Sequence, residues 1–236
     1  MASRPFLFKK FEVNQKGVAH PVGTDSILLG AWAPGNESGP MLDIGTGTGV
    51  IALMLAQRFD SGAIVGIDLH ADSVVCAQGN FQASPWPSRL TAQHVRLQEY
   101  TPNQSFNLIS CNPPFFDEEI LAPDEHRSRA RSTTDLSHVA LLENVKRLLS
   151  SNGVFSCILP PIAAQGLIET AQQLGLYPYR ICRVHSRPNK PVERVMMAFG
   201  KKLGSCTEEH LILHAETGLE PSEAFRQLAA DFYLNW

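Results

Sequence analysis

The chain has 236 residues, 44% hydrophobic and 18% charged, enough to bury the core of one α/β domain. A net charge of −3 argues against binding nucleic acid through overall basicity, so any such role must rest on a local patch. No run approaches the roughly 18 apolar residues of a membrane span, and lysines interrupt the opening "MASRPFLFKKFEV" where a signal peptide would be apolar, so the expectation is a cytoplasmic chain with no membrane partner.

In chain order, "FLFKKFEV" reads as a small β element, followed by a helix starting after Thr24 or Asp25, both good capping residues. From residue 41 short apolar runs alternate with amphipathic stretches. Strands are expected at 41–45, 63–68, 90–97, 106–111, 153–160, 176–185 and 192–200. Helices are expected at 50–59, 72–83, 136–149 and 162–174. Repeated strand–helix–strand units predict a seven-stranded, mostly parallel sheet covered by helices on both faces. The last two strands are joined by "SRPNKP", too short for a helical crossover, and should pair antiparallel. A final helix is expected in "EPSEAFRQLAADFYLNW", with Pro221 in its first turn. The whole reads as one domain: an N-terminal element over 1–40, a core over 41–203 and a C-terminal extension over 204–236.

Five cysteines are scattered singly, without a C-x-x-C pair, which predicts neither a disulfide framework nor a zinc site. Cys111 invites a nucleophile reading, but it ends an apolar strand, where an inert buried thiol is commoner. His210 and His214 have the spacing of ligands on one helical face, yet "HLILH" reads as strand, so no metal is expected.

"LDIGTGTGV" sets Gly45, Gly47 and Gly49 between a strand and a helix, where a ligand can approach unpaired helix N–H groups. Asp68 ends the next strand, 19 residues after Gly49, and suits the two hydroxyls of a ribose. The spacing is G-x-G-x-G rather than the dinucleotide G-x-G-x-x-G. Asp43 would repel a pyrophosphate but attract the ammonium of an amino-acid ligand. S-adenosylmethionine combines such an ammonium with a ribose and carries no phosphate. The alternative is a structural turn with an exposed Asp43.

"NPPF" follows the strand at 106–111 and opens at the same carboxyl edge as the glycine loop, the edge where ligands bind in this architecture. The Asn112 side-chain oxygen and the Pro113 carbonyl are two acceptors, held apart by the restricted φ of the prolines. Together they suit a planar –NH2, with Phe115 stacking on the attached ring at about 1–3 kcal/mol. The target class is a planar amide or an exocyclic amine.

"DIGTGTG", "GID" and "NPPF" resemble the class I S-adenosylmethionine-dependent methyltransferases that modify exocyclic or amide nitrogens through an [ND]PP[YFW] motif. "FKKFEV", "VGTDSILLGAWAP", "IALMLAQR", "SPWPSRL", "NPPFF" and "SEAFRQLAADFYL" are similar to the bacterial tRNA1(Val) adenine N6-methyltransferases, over nearly the whole chain. The resemblance implies a Rossmann-like domain that methylates the adenine 3′ of the anticodon. It assigns Asp43, Gly45, Gly47 and Gly49 to the methionyl part of the cofactor and Asp68 to the ribose. Thr24 or Asp25 would lie near the cofactor's carboxylate or ammonium. Asn112, counted with both cofactor and target, would hold the amine with Pro113, and Phe115 would stack on the base. Phe115 stands where the family often has Tyr. Arg96 stands where an acid is expected to accept from the cofactor adenine; Gln98, Glu99 or a backbone group would substitute.

Binding tRNA calls for cationic side chains. "HRSRARS" supplies Arg127, Arg129 and Arg131 at alternate positions; Lys9, Lys10 and Lys16 form a second group, and Arg187, Lys190 and Arg194 a third. A monomer is favoured. Three rival readings stand beside this one. A protein glutamine methyltransferase usually carries an N-terminal helical domain, and 42 residues before Asp43 are too few for it. A DNA adenine methyltransferase usually needs a large target-recognition domain. A non-catalytic cofactor-binding subunit has no use for the Asn-Pro-Pro-aromatic set.

Overall fold

The computed structural model describes residues 4–18, 21–35, 39–113, 137–218 and 220–234. The chain opens with β1 (Phe6–Leu7) and β2 (Glu12–Val13), paired antiparallel, and α1 (Thr24–Trp32). Then come β3 (Met41–Ile44), α2 (Val50–Arg58), β4 (Ile64–Asp68), α3 (Ala71–Ala83), β5 (Leu90–His94) and β6 (Phe106–Cys111). From residue 137 onward follow α4 (His138–Leu148), β7 (Leu149–Leu159), α5 (Pro161–Gln173), β8 (Tyr177–His185), β9 (Val192–Gly200), β10 (Thr207–Ile212) and α6 (Glu223–Ala229).

The main sheet has eight strands in the order β10-β8-β9-β7-β6-β3-β4-β5. Only β9 runs against its neighbours, pairing antiparallel with β7 and β8 as the short "SRPNKP" link requires. The remaining pairs are parallel. The strand beyond the expected seven is β10, which adds beside β8 at one edge. Its polar run Thr207–His210 is that of an edge strand, with only Leu211 buried.

β3 and β4 are buried along their whole length, as expected of central strands covered on both sides. Alternation divides their side chains. Met41, Ile64, Leu90 and Leu108 pack with α1, α2, α3 and α6, whereas Leu42, Ile44, Ile67 and Ile109 pack with α4 and α5. The flanking segments join the first of these clusters: Phe8 and Val13 from the start and Phe225 and Phe232 from the end are buried with α1 and α2. A bridge between Phe8 and Tyr233 ties the two segments to each other.

Element ends depart from expectation for local reasons. α1 begins at Thr24, capped by Gly23 with no side-chain bond, so neither Thr24 nor Asp25 is the cap. Pro221 lies before α6 rather than in its first turn, because the Ser222 hydroxyl accepts the Phe225 amide at 3.1 Å and sets the start. β5 stops at His94, the partner of the last residue of β4. β7 starts at Leu149, ahead of the turn-like "SNG", because Leu149 already pairs with Phe106 across a register shift.

Candidate active site

Parallel strands deliver their carboxyl ends to one edge. Ile44 pairs with Ile67 on one side and Cys111 on the other, so the glycine loop, Asp68 and Asn112 leave adjacent strands side by side. Neighbouring strands lie about 4.8 Å apart. The glycine turn and the Asn-Pro corner therefore share one end of the sheet.

Gly45, Gly47 and Gly49 all have positive φ, at 67°, 56° and 81°. They serve different ends. A Cβ on Gly49 would come within 2.5 Å of the Phe81 ring, so this glycine lets α3 pack under the loop. A Cβ on Gly45 would meet nothing within 4 Å, and one on Gly47 only the Gly45 carbonyl oxygen at 3.9 Å, which leaves that stretch of backbone open to a ligand. The Asn80 amide holds the loop from below by donating to the Thr48 carbonyl at 2.8 Å.

Asp43 departs from the expectation of a carboxylate presented to an ammonium, and from the alternative of an exposed one. It is 0% exposed. One oxygen accepts from Thr46 Oγ1 and the other from Ser110 Oγ, each at 2.8 Å. The strand pleat turns residue 43 inward beneath the loop, directly opposite Ser110 in register. Its function in this geometry is to brace the loop against β6. Burial raises its pKa from 3.8 to about 6, opposed by the Thr46 and Ser110 bonds and reinforced by the Asp68 charge.

The sign of the linkage follows. The folded state holds this proton more tightly than the unfolded chain, so the group's contribution to stability is fullest below about pH 4. It is lost as pH rises through about 6, by on the order of 3 kcal/mol in all. Asp43→Asn should therefore gain stability relative to the parent across that window and keep the gain above it. Urea midpoints from pH 4 to pH 7 check this; a constant difference would contradict it.

Asp68 is 8% exposed at the end of β4. Its Oδ2 accepts from the Gly47 amide and its Oδ1 from the His70 amide, both at 2.9 Å. These bonds fix the carboxylate beside the open part of the loop and leave lone pairs on each oxygen. An open glycine backbone next to an anchored carboxylate fits an amino-acid–nucleoside ligand of the expected kind.

Asn112 leaves β6 half-buried, and Pro113 is buried. The Asn112 Nδ2 donates to Ser26 Oγ at 3.0 Å, a contact between residues 86 apart in sequence. Ser26 belongs to the first turn of α1, next to Asp25. Asp25 itself is taken by Arg194 of β9 at 2.7 Å, while Thr24 is exposed. Ser26 was not singled out in the sequence, although it lies inside "VGTDSILLGAWAP". Ser110 also escaped, although a hydroxyl inside the apolar run "FNLISC" opposite a buried acid was a usable signal.

Other expected residues are spread more widely. The hairpin carrying Arg187 and Lys190 lies at the carboxyl edge, because His185 pairs with Val192 and Leu159 with Val195. Lys190 is exposed, and Arg187 donates to the Glu216 carbonyl at 3.2 Å. Lys9 and Lys10 stand apart from that edge, toward the other end of the sheet. Lys9 Nζ donates to the Ala230 carbonyl at 2.6 Å, and Lys10 lines a groove with Gln57 and Arg58, the last residues of α2. Since α2 starts at the glycine loop, its last turn is remote from it. Gln98 is exposed on a 3₁₀ turn, Leu97–Glu99, whose Leu97 carbonyl accepts from Arg147 in the last turn of α4. Phe115, Arg127, Arg129 and Arg131 lie outside the described residues.

Cys111 is buried, and burial foremost pushes its thiol pKa well above the ordinary value, which removes the nucleophile reading. His210 pairs with His185, Nδ1 to Nε2 at 3.0 Å, rather than with His214. Among the described residues no group of three or more His, Cys, Asp or Glu could hold a metal. No helix among them is long and apolar enough to cross a membrane.

A family model for the methyltransferase small domain matches residues 22–159. A tRNA1(Val) (adenine(37)-N6)-methyltransferase of Vibrio vulnificus (strain YJ016) is 40% identical over 234 residues, covering 99% of this chain and 97% of the relative. One of the same name from Flavobacterium psychrophilum is 37% identical over 232 residues, with 97% and 99% covered. In fold, the chain is similar to a predicted O-methyltransferase from Agrobacterium tumefaciens, with a TM-score of 0.70 at 16% identity, covering 88% of this chain and 96% of that one. It is also similar to a glycopeptide N-methyltransferase solved with S-adenosyl-L-methionine, with a TM-score of 0.57 at 11% identity, covering 77% and 100%. With the class I methyltransferase architecture, the open glycine turn and these near full-length matches together, the chain belongs to the methyltransferase small-domain family, among the tRNA1(Val) (adenine(37)-N6)-methyltransferases.

Proposed function

We propose that the chain transfers the methyl group of S-adenosylmethionine to the exocyclic N6 of the adenine 3′ of the anticodon, position 37, in tRNA1(Val). The observation that carries this reading is the adjacency of the glycine loop and the Asn112–Pro113 corner on neighbouring parallel strands. The named relatives support the choice of substrate.

Bound S-adenosylmethionine supplies a methyl carbon made electrophilic by its sulfonium. Gly45 and Gly47 present backbone to its methionyl part, and Asp68 accepts from its ribose hydroxyls. Asn112 Oδ1 and the Pro113 carbonyl accept the two N6 hydrogens of the adenine, and Phe115 stacks on the base. Holding both hydrogens aims the nitrogen lone pair and lets the amine pyramidalise as it attacks. Fixing the two reactants in this way supplies most of the acceleration, since the methyl is already activated. The surplus N6 proton passes to water. An anticodon-loop base is only partly stacked, so drawing it into the pocket costs less than extrusion from a duplex.

The test is methyl transfer from labelled cofactor to bulk tRNA, with a protein fraction as parallel acceptor. N6-methyladenosine in the nucleoside digest is the expected product; label on protein glutamine instead would favour the rival reading. On the RNA side, Arg187 and Lys190 are proposed phosphate contacts. Replacing both with Ala should raise the KM for tRNA most at low salt. The slope of log KM against log salt should fall by roughly 1.4 to 1.8, about 0.7 to 0.9 per contact. Steady-state kinetics across a salt series checks this, and an unchanged slope removes the hairpin from the interface.

A further inference from the structure

We infer that Ser26 is a positioning residue that holds the Asn112 carboxamide in place at the target amine. This rests on the methyl-transfer reading above and specifies one part of it. A carboxamide has an acceptor on one branch and donors on the other, and its terminal torsion is soft and roughly two-fold. Nothing intrinsic to Asn112 selects between the two orientations. Only one works, because the adenine amine offers hydrogens and needs an oxygen. In the flipped state two –NH2 groups would face each other.

Asn112 Nδ2 donates to Ser26 Oγ at 3.0 Å; a hydroxyl can also donate, so the contact fixes where the carboxamide sits, and the incoming amine, which needs an oxygen, keeps Oδ1 on the free branch. Ser26 is well placed to hold the group. Its helix turn is anchored on one side by the Asp25–Arg194 pair at 2.7 Å and on the other by Ile27, Leu28 and Leu29, all buried. Asp25 is occupied by Arg194, so within that turn the hydroxyl of Ser26 is the group that reaches the amide. A rigid element that hydrogen-bonds a reacting side chain holds it in one rotamer.

Ser26→Ala should lower kcat by about tenfold, the scale of one neutral hydrogen bond, with the KM for tRNA and the cofactor Kd unchanged. Ser26→Thr keeps the hydroxyl and should restore kcat. A readout independent of turnover is the Asn112 side-chain amide signal in a ¹⁵N-correlated spectrum, identified by its loss in Asn112→Ala. Its protons should exchange with water faster in Ser26→Ala than in the parent. Unchanged kcat in Ser26→Ala, a parallel rise in KM that accounts for the loss, or an unaltered amide signal would each overturn the inference. The two levels separate cleanly. If Asn112→Ala turns over like the parent, the reading of Asn112 itself fails; if it is inactive while Ser26→Ala is unimpaired, only the role of Ser26 fails.

Discussion

Asn112→Ala is expected to lower kcat by at least about 10²- to 10³-fold, the scale seen when one preorganised hydrogen-bonding group is removed from a reacting centre. Cofactor affinity should be unchanged. The residue touches the glycine loop through no hydrogen bond; its amide contact among the described residues is with Ser26 on α1. In the proposed arrangement, loss of its oxygen leaves the adenine amine with the Pro113 carbonyl alone, free to rotate out of line. Single-turnover transfer to tRNA, beside calorimetric titration with the cofactor, separates the two effects. Normal turnover would remove Asn112 from the chemistry. A large loss of cofactor affinity would move it to the cofactor side of the pocket.

Asp68→Ala should act in the opposite sense, weakening the cofactor by roughly 10- to 100-fold, as expected for charge-assisted bonds worth about 1.5–3 kcal/mol. Two causes add. The ribose loses its acceptors, and the Gly47 and His70 amides lose the carboxylate that positions the loop. At saturating cofactor kcat should recover most of its value, because Asp68 does not touch the reacting atoms in the proposed arrangement. Asp68→Asn, which keeps one acceptor oxygen and the side-chain volume, should fall between parent and Ala. Calorimetry showing an unchanged Kd for Asp68→Ala would sink the ribose assignment.

The parts of the site legible in sequence are those set by local backbone needs. Gly45, Gly47 and Gly49 announce a strand-to-helix turn with positive φ, and all three adopt it. Asp68 ends its strand because the apolar run ends there. The prolines after Asn112 end β6 for want of amide donors. The charge of Asp43 is legible in the sequence, but its direction is not. The pleat buries it, and Ser110, paired with it in register, belongs to a strand 67 residues further along the chain. Charge alone groups Lys9 and Lys10 with the other cations; docking of the first residues against the C-terminal segment decides that they lie toward the other end of the sheet.

By itself the sequence determined the alternation of elements, the single reversed strand and the identity of the groups lining the carboxyl edge, because hydrophobic period, glycine φ and link length act within a few residues. Only the tertiary structure decided which of those groups meet: Ser26 with Asn112, Asp25 with Arg194, Asp43 with Ser110. Such contacts join residues 67 to 169 positions apart, and strand order and helix docking, which no local pattern encodes, bring them within hydrogen-bonding distance.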